Sequence, residues 1–150
     1  MSIVKYAKYA KYWIVALAVV GLAAIAAQAQ ADPAVQMITA EELKTKFTDN
    51  QPITIIDVRS SNGYANSNKT VKGALHFKLR KLKSRLTFPP FKDLPKDREI
   101  ITYCACPNDE SSIAAAQILQ ASGFKRVRVL QGGWQGWLKV NGPVEPRAKT

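Results

Sequence analysis

The chain has 150 residues, 47% apolar and 22% charged, values that exclude disorder and collagen-like repeats and leave room for at most one ordinary globular domain. Lys plus Arg number 22 against 11 Asp plus Glu, a formal net charge of +11. Two cysteines exclude a multi-bridge disulfide scaffold, and with a single histidine, His76, they exclude zinc sites that need two or more His ligands.

Residues 1–12 carry Lys5, Lys8 and Lys11 and no acid, and Trp13 to Ala27 is an uncharged apolar run. Ala29 and Ala31 follow at the spacing of an A-x-A cleavage site before Asp32. A positive start, a short apolar core and a small-residue exit describe a bacterial secretory signal peptide over 1–31. The run is short of the roughly 20 residues that a permanent membrane helix needs. An uncleaved anchor through residues 13–27, holding the protein at the inner membrane, is the alternative. Export to the periplasm or beyond follows from the first reading, and one domain over 32–150 from both.

Without the leader the excess falls to +8, because three lysines leave and no acid does. Its densest part is Lys78, Arg80, Lys81, Lys83 and Arg85. An exported protein rarely meets nucleic acid, so anionic lipid head groups or small anions are the partners such a cluster would suit. Its plainer reading is a solvated helix face, since Leu79, Leu82 and Leu86 recur at i, i+3 and i+7.

Thr39-Ala40-Glu41-Glu42 is a capping box that should open a short helix ending near Phe47. Ile53 to Val58 is an almost continuous β-branched run, suited to a strand covered on both faces of a parallel sheet. Ser60 to Lys72 reads as a polar loop, and Gly73 to Phe77 as a second short strand. The basic helix follows at about 78–86, then a loop marked by Pro89, Pro90 and Pro95. Glu99 to Tyr103 is another buried-strand candidate, Ser112 to Ser122 a helix closed by Gly123, and Val127 to Leu130 a strand. Gly132-Gly133-Trp134 opens a last helical turn. Strands alternating with short helices indicate an open α/β sheet, mostly parallel, with helices on both faces.

Such sheets bind ligands beyond the carboxyl ends of their strands, where a loop leads into a helix. The loop there with the most chemical content is Cys104-Ala105-Cys106-Pro107-Asn108-Asp109-Glu110-Ser111-Ser112. Backbone N–H groups collected at a helix N-terminus favour an anion, and a thiolate held there is a nucleophile. A papain-like Cys–His pair is disfavoured, because nothing in the sequence brings His76 to that loop. A cysteine there can equally be a small buried hydrophobe, and Asp109 and Glu110 simple helix caps.

Ile55-Ile56-Asp57-Val58-Arg59, Tyr64, Val71-Lys72-Gly73-Ala74, Ile100-Ile101-Thr102-Tyr103-Cys104, Ser111-Ser112, Gly123-Phe124 and Gly132-Gly133-Trp134…Trp137 occur in the order and spacing of a rhodanese-like (sulfurtransferase) domain. The resemblance covers about residues 35–146. It implies a doubly wound α/β fold of about five parallel strands and transfer of sulfane sulfur through a cysteine persulfide. A small sulfane-sulfur donor and a thiol acceptor are the partners it implies, with a membrane surface or membrane protein as a further contact, no nucleic acid, and no cofactor or metal.

Within that resemblance Cys104, which follows Tyr103 as in the family, is the preferred nucleophile. Counting back from the helix at Ser111 gives Cys106 instead, so Cys106 stands as alternate or resolving thiol. Backbone N–H groups of 105–111 would cradle the anion, lined by Ala105, Pro107, Asn108, Asp109 and Glu110, with Ser111 or Ser112 adding a hydroxyl. The loop lacks the family's frequent Arg and Gly, and two carboxylates there should oppose a thiosulfate dianion, so weak thiosulfate:cyanide activity is expected. Asp57 and Arg59 resemble the family's D-x-R pair, expected as a structural salt link, with Gly73, Gly132 and Gly133 as structural positions and Trp134 and Trp137 as core. The C-x-C pair also suits thiol–disulfide exchange, and an inactive binding module on the same fold is the third class.

Overall fold

Buried β-branched strands dictate the architecture. In the computed structural model, which describes residues 34–147, strands β1 (Gln36–Ile38), β2 (Ile53–Asp57), β4 (Leu75–His76), β5 (Glu99–Tyr103) and β6 (Arg126–Leu130) form one sheet in the order β1-β6-β5-β2-β4. Every neighbouring pair in it is parallel. Parallel strands need a crossover between them, and helices α1 (Ala40–Thr48), α3 (Leu79–Arg85) and α4 (Glu110–Ala121) lie in those crossovers, while α5 (Gly133–Lys139) follows β6, the last strand of this sheet in the chain. The leader assigned to 1–31, and with it the boundary at residue 32, lies outside the described residues.

Side chains alternate across the strands and so feed two cores. Ile56, Ile100, Val127 and Val129 pack with Leu82, Ala115, Ala116 and Leu119 on one face. Ile55, Ile101, Tyr103 and Leu130 pack with Leu43, Trp134 and Trp137 on the other. Helices therefore cover both faces, as the periodicity predicts. The leucine stripe of α3 faces inward, with Leu82 fully buried, while Lys78, Arg80, Lys81, Lys83 and Arg85 are exposed.

The segment 60–72 differs from the expected loop. Ser60 accepts the Gly63 N–H at 3.1 Å and opens a five-residue helix α2 (Ser61–Ala65), and β3 (Lys69–Val71) pairs antiparallel with β7 (Val144–Pro146). Helix α2 has weak intrinsic propensity; it is held by burial of Tyr64, whose ring stacks on His76 with centroids 3.7 Å apart. Pro90 leads into a 3-10 turn, Phe91–Asp93, that buries Phe91.

Candidate active site

Strand β5 lies at the centre of the sheet, and its carboxyl end delivers Cys104 into the junction with α4, where it is only 1% exposed. The backbone there is fixed from outside the loop. The Trp134 N–H donates to the Cys104 carbonyl at 2.8 Å, so the start of α5 holds the cysteine in place. That contact requires Gly133: its φ is +47, and a Cβ would collide with the Cys104 carbonyl oxygen. Gly132 and Gly73 also have positive φ, at 71 and 72.

The loop closes on itself through two cysteines. Cys104 and Cys106 are joined by a disulfide, with Cα atoms 5.7 Å apart. The Cys106 N–H points at Cys104 Sγ from 3.4 Å, and the Ser112 hydroxyl lies 3.6 Å from the same sulfur. That hydroxyl also lies 2.8 Å from the Asp109 carbonyl, and its single proton serves one acceptor at a time. Thr102 braces the region by donating to the Ser112 carbonyl at 2.9 Å. Beside a neutral disulfide the Ser112 hydroxyl donates to the Asp109 main-chain carbonyl; a negative Cys104 sulfur would draw that hydrogen bond to itself.

Asp109 does not line the mouth of the loop as expected. It is buried, sits in the left-handed region at φ 54, and accepts the Gly132 N–H at 2.9 Å through its carboxylate. Its backbone N–H reaches back towards the Cys106 carbonyl at 3.4 Å. One of the two carboxylates expected to oppose an anion thus ties the loop to the glycine turn instead. Glu110 is exposed in the first turn of α4, Ser111 is half-buried, and Ala105, Pro107 and Asn108 are exposed. Cys106 is half-buried, so the two sulfur-bearing residues differ sharply in access.

Behind the loop lies a buried polar node. Arg59 makes a two-pronged pair with Asp57, Nη2 at 2.7 Å and Nε at 3.0 Å from Oδ2, and both side chains have no exposure. Its guanidinium sits over the Trp134 ring at 4.5 Å and over Tyr64 at 5.1 Å. Tyr103 donates to Asp57 at 2.7 Å. Burial alone would push the Asp57 carboxyl up. The His76 ring 3.8 Å away, the Arg59 fork and the Tyr103 hydroxyl outweigh burial and hold it at about 2. The Tyr103 phenol moves the other way, raised by its own burial and by the Asp57 charge. The node joins Asp57 and Arg59 in a salt link and sets the Arg59 guanidinium against Trp134, whose backbone N–H holds Cys104. Thr70, which no sequence pattern singles out, completes the node: its hydroxyl lies 2.8 Å from Tyr103 Oη and 3.2 Å from the Asp57 carboxylate.

The depressed Asp57 carboxyl makes the stability of the fold depend on pH. The unfolded chain, with an ordinary carboxylate near pH ~4, takes up the proton before the folded chain does. The stabilisation, about 2 kcal/mol for a shift from 3.8 to about 2, is therefore complete above pH ~4 and is lost as pH falls through about 2. Urea unfolding followed from pH 6 downwards should show that decline, and an Asp57→Asn variant should lack it.

His76 belongs to this node and not to the cysteines. Its Nδ1 lies 3.1 Å from the Asp57 carbonyl, on β4, with β2 intervening between β4 and the cysteine-bearing β5. Trp134 and Trp137 are buried in the core on the α1/α5 face.

Comparison with known proteins matches residues 39–140 to the rhodanese-like domain family. A curated sulfurtransferase from Allochromatium vinosum is 26% identical over 110 residues, 73% of this chain and 94% of that protein. Among solved structures, the rhodanese-like domain of an Anabaena sp. protein superposes with a TM-score of 0.61 at 28% identity, covering 74% of this chain and 79% of that one. A human single-domain sulfurtransferase shares the fold, with a TM-score of 0.58 at 22% identity over 70% of this chain and 96% of its own.

Proposed function

Because the chain belongs to the rhodanese-like domain family, we propose that it is an exported sulfurtransferase or sulfur carrier whose persulfide forms on Cys104. The observation that carries this reading is the surroundings of one sulfur: Cys104 Sγ, at the end of the central strand, has the Cys106 N–H and the Ser112 hydroxyl within reach. Those donors stabilise a thiolate, which is the nucleophilic form. The carrier state is the dithiol. Its Cys104 thiolate attacks the outer sulfur of a sulfane donor, a new S–S bond forms, and the donor departs with the electron pair of the broken one. An acceptor thiolate then takes the outer sulfur and returns Cys104 to the thiolate.

Thiosulfate is a poor candidate for the physiological donor, since Glu110 stands exposed beside the loop and a dianion would meet its charge. The test is intact mass after incubation of the reduced protein with a sulfane-sulfur donor. One added sulfur is expected in the wild type and in Cys106→Ala, with none in Cys104→Ala. Loss in Cys106→Ala alone would move the persulfide to Cys106, and no adduct in any form, with no exchange with a dithiol protein, would leave the domain a binding module. Thiol–disulfide exchange is a second reading, supported by the Cys104–Cys106 bond; it expects rapid exchange with a dithiol protein and no sulfur gain. Export rests on the reading of residues 1–31, and the N-terminal sequence of the protein recovered from the periplasmic fraction tests it.

A further inference from the structure

The two halves of the disulfide are unequal. In exchange reactions a sulfur nucleophile attacks one sulfur of the bond and the other departs as thiolate. Cys104 is buried and its sulfur is approached by two hydrogen-bond donors, the Cys106 N–H and the Ser112 hydroxyl. Cys106 is half-buried between the exposed residues Ala105 and Pro107. Access therefore directs attack to Cys106, and the donors around Cys104 make it the better leaving group. The Ser112 proton, on the Asp109 carbonyl while the sulfur is neutral, is available to the thiolate as it forms.

We propose that the oxidised protein is itself a substrate-binding state, and that the nucleophile it accepts is hydrosulfide. The inference rests on the reading of loop 104–112 as the persulfide site, and it names sulfide as a source of that site's sulfur. Any ordinary thiol attacking Cys106 leaves a mixed disulfide that the adjacent Cys104 thiolate reverses. Hydrosulfide, with no carbon substituent, leaves a persulfide instead. It is a small monoanion near neutral pH, with half the charge of a thiosulfate dianion to meet the exposed Glu110, and the chain without residues 1–31 still carries a net charge of +8.

The chemistry balances in two steps. First, a hydrosulfide lone pair forms a bond to Cys106 Sγ, the Cys104–Cys106 bond breaks, and its electron pair departs on Cys104 as thiolate. The sulfide sulfur is oxidised by two electrons and the disulfide is reduced. Second, the Cys104 thiolate attacks the outer sulfur of the Cys106 persulfide. Cys104 then bears the persulfide with its proton, and Cys106 leaves as thiolate. One disulfide and one hydrosulfide thus become one persulfide and one thiolate, with charge and hydrogen conserved. After an acceptor thiol removes the sulfane sulfur, the remaining dithiol returns to the disulfide by exchange with a protein disulfide oxidant.

The experiment uses the full chain, oxidised and kept without reductant, treated anaerobically with excess sodium sulfide and quenched with iodoacetamide. Intact mass should rise by one sulfur and two hydrogens before alkylation is counted. Peptide mapping should place the extra sulfur on Cys106 at early times and on Cys104 later. The pre-reduced wild type and Cys106→Ala, which lack the disulfide, should gain nothing from sulfide, yet both should load from inorganic polysulfide. Oxidised protein that stays inert to sulfide, or that emerges as a plain dithiol with the sulfur released to solution, overturns the inference. So does an equal gain from sulfide in Cys106→Ala. If those forms still load from polysulfide, the carrier reading stands without it; if nothing loads from either reagent, both readings fall.

Discussion

Replacing Arg59 with methionine is expected to destabilise the fold by about 3–5 kcal/mol, the range found when one partner of a buried ion pair is removed. The pair has no exposure on either side, and the carboxylate left behind keeps the backbone N–H of residue 59, Tyr103, Thr70 and the His76 ring but no fixed positive charge. Methionine keeps most of the side-chain volume over Trp134 and Tyr64, so the loss reports charge and hydrogen bonding more than a cavity. Two further measurements identify the cause. The double variant Asp57→Asn/Arg59→Met should recover a large part of the stability, because no uncompensated charge then remains buried. The pH dependence should also reverse: Arg59→Met should gain stability as Asp57 protonates, whereas the wild type loses it. If the double variant is as unstable as the single one in urea unfolding, packing and not charge is what Arg59 supplies.

The parts of the fold legible in the sequence are those whose signal is local. Ile53–Asp57 and Glu99–Tyr103 are apolar, β-branched runs because the sheet is covered on both faces, and a run of that kind leaves few other conformations. Helix α1 announces itself through Thr39, whose side chain accepts the Glu42 N–H at 3.1 Å, as the capping box predicts. Strand β1 is invisible for the opposite reason. It has three residues, only Ile38 is buried, and its place at the sheet edge is decided by pairing with β6, some ninety residues away. Strands β3 and β7 and helix α2 are likewise made by distant partners. Helix α4 begins two residues before the predicted Ser112, since Asp109 takes up a left-handed conformation in order to reach Gly132.

The same division runs through the site. The C-x-C pair and the strand that carries it could be read directly, because both lie in one short segment. What surrounds Cys104 could not, since its carbonyl is held by Trp134 and the loop is tied through Asp109 to a turn 23 residues on. In sequence Asp109 and Glu110 are adjacent and alike in charge, yet burial separates them. Asp109 is 6% exposed and serves the backbone; Glu110 is in solvent. Linear spacing reports proximity along the chain and carries no information about which way a left-handed residue turns its side chain.

The glycine turn offers a test of that long-range link, because its two glycines differ in what a methyl group would meet. Both have positive φ, so alanine at either position carries a backbone cost of about 1–2 kcal/mol. At Gly132 the nearest atom to a new Cβ is the Gly136 Cα at 3.5 Å, an ordinary contact. At Gly133 the new Cβ would collide with the Cys104 carbonyl oxygen and come within 3.2 Å of Asp109 Oδ1. The carbonyl has to move, and with it the Trp134 N–H bond and the sulfur, three bonds from the carbonyl carbon. Gly132→Ala should therefore lose stability and little else. Gly133→Ala should lose about 3–4 kcal/mol, and its reduced form should load sulfane sulfur more slowly by about tenfold to a hundredfold, the scale of a misplaced reacting group. Thermal unfolding and the rate of mass gain from polysulfide, measured side by side on both variants, decide the matter. If the two variants load at the wild-type rate, the turn supports the fold without positioning Cys104; if they slow equally, strain alone explains both and the carbonyl contact has no special part.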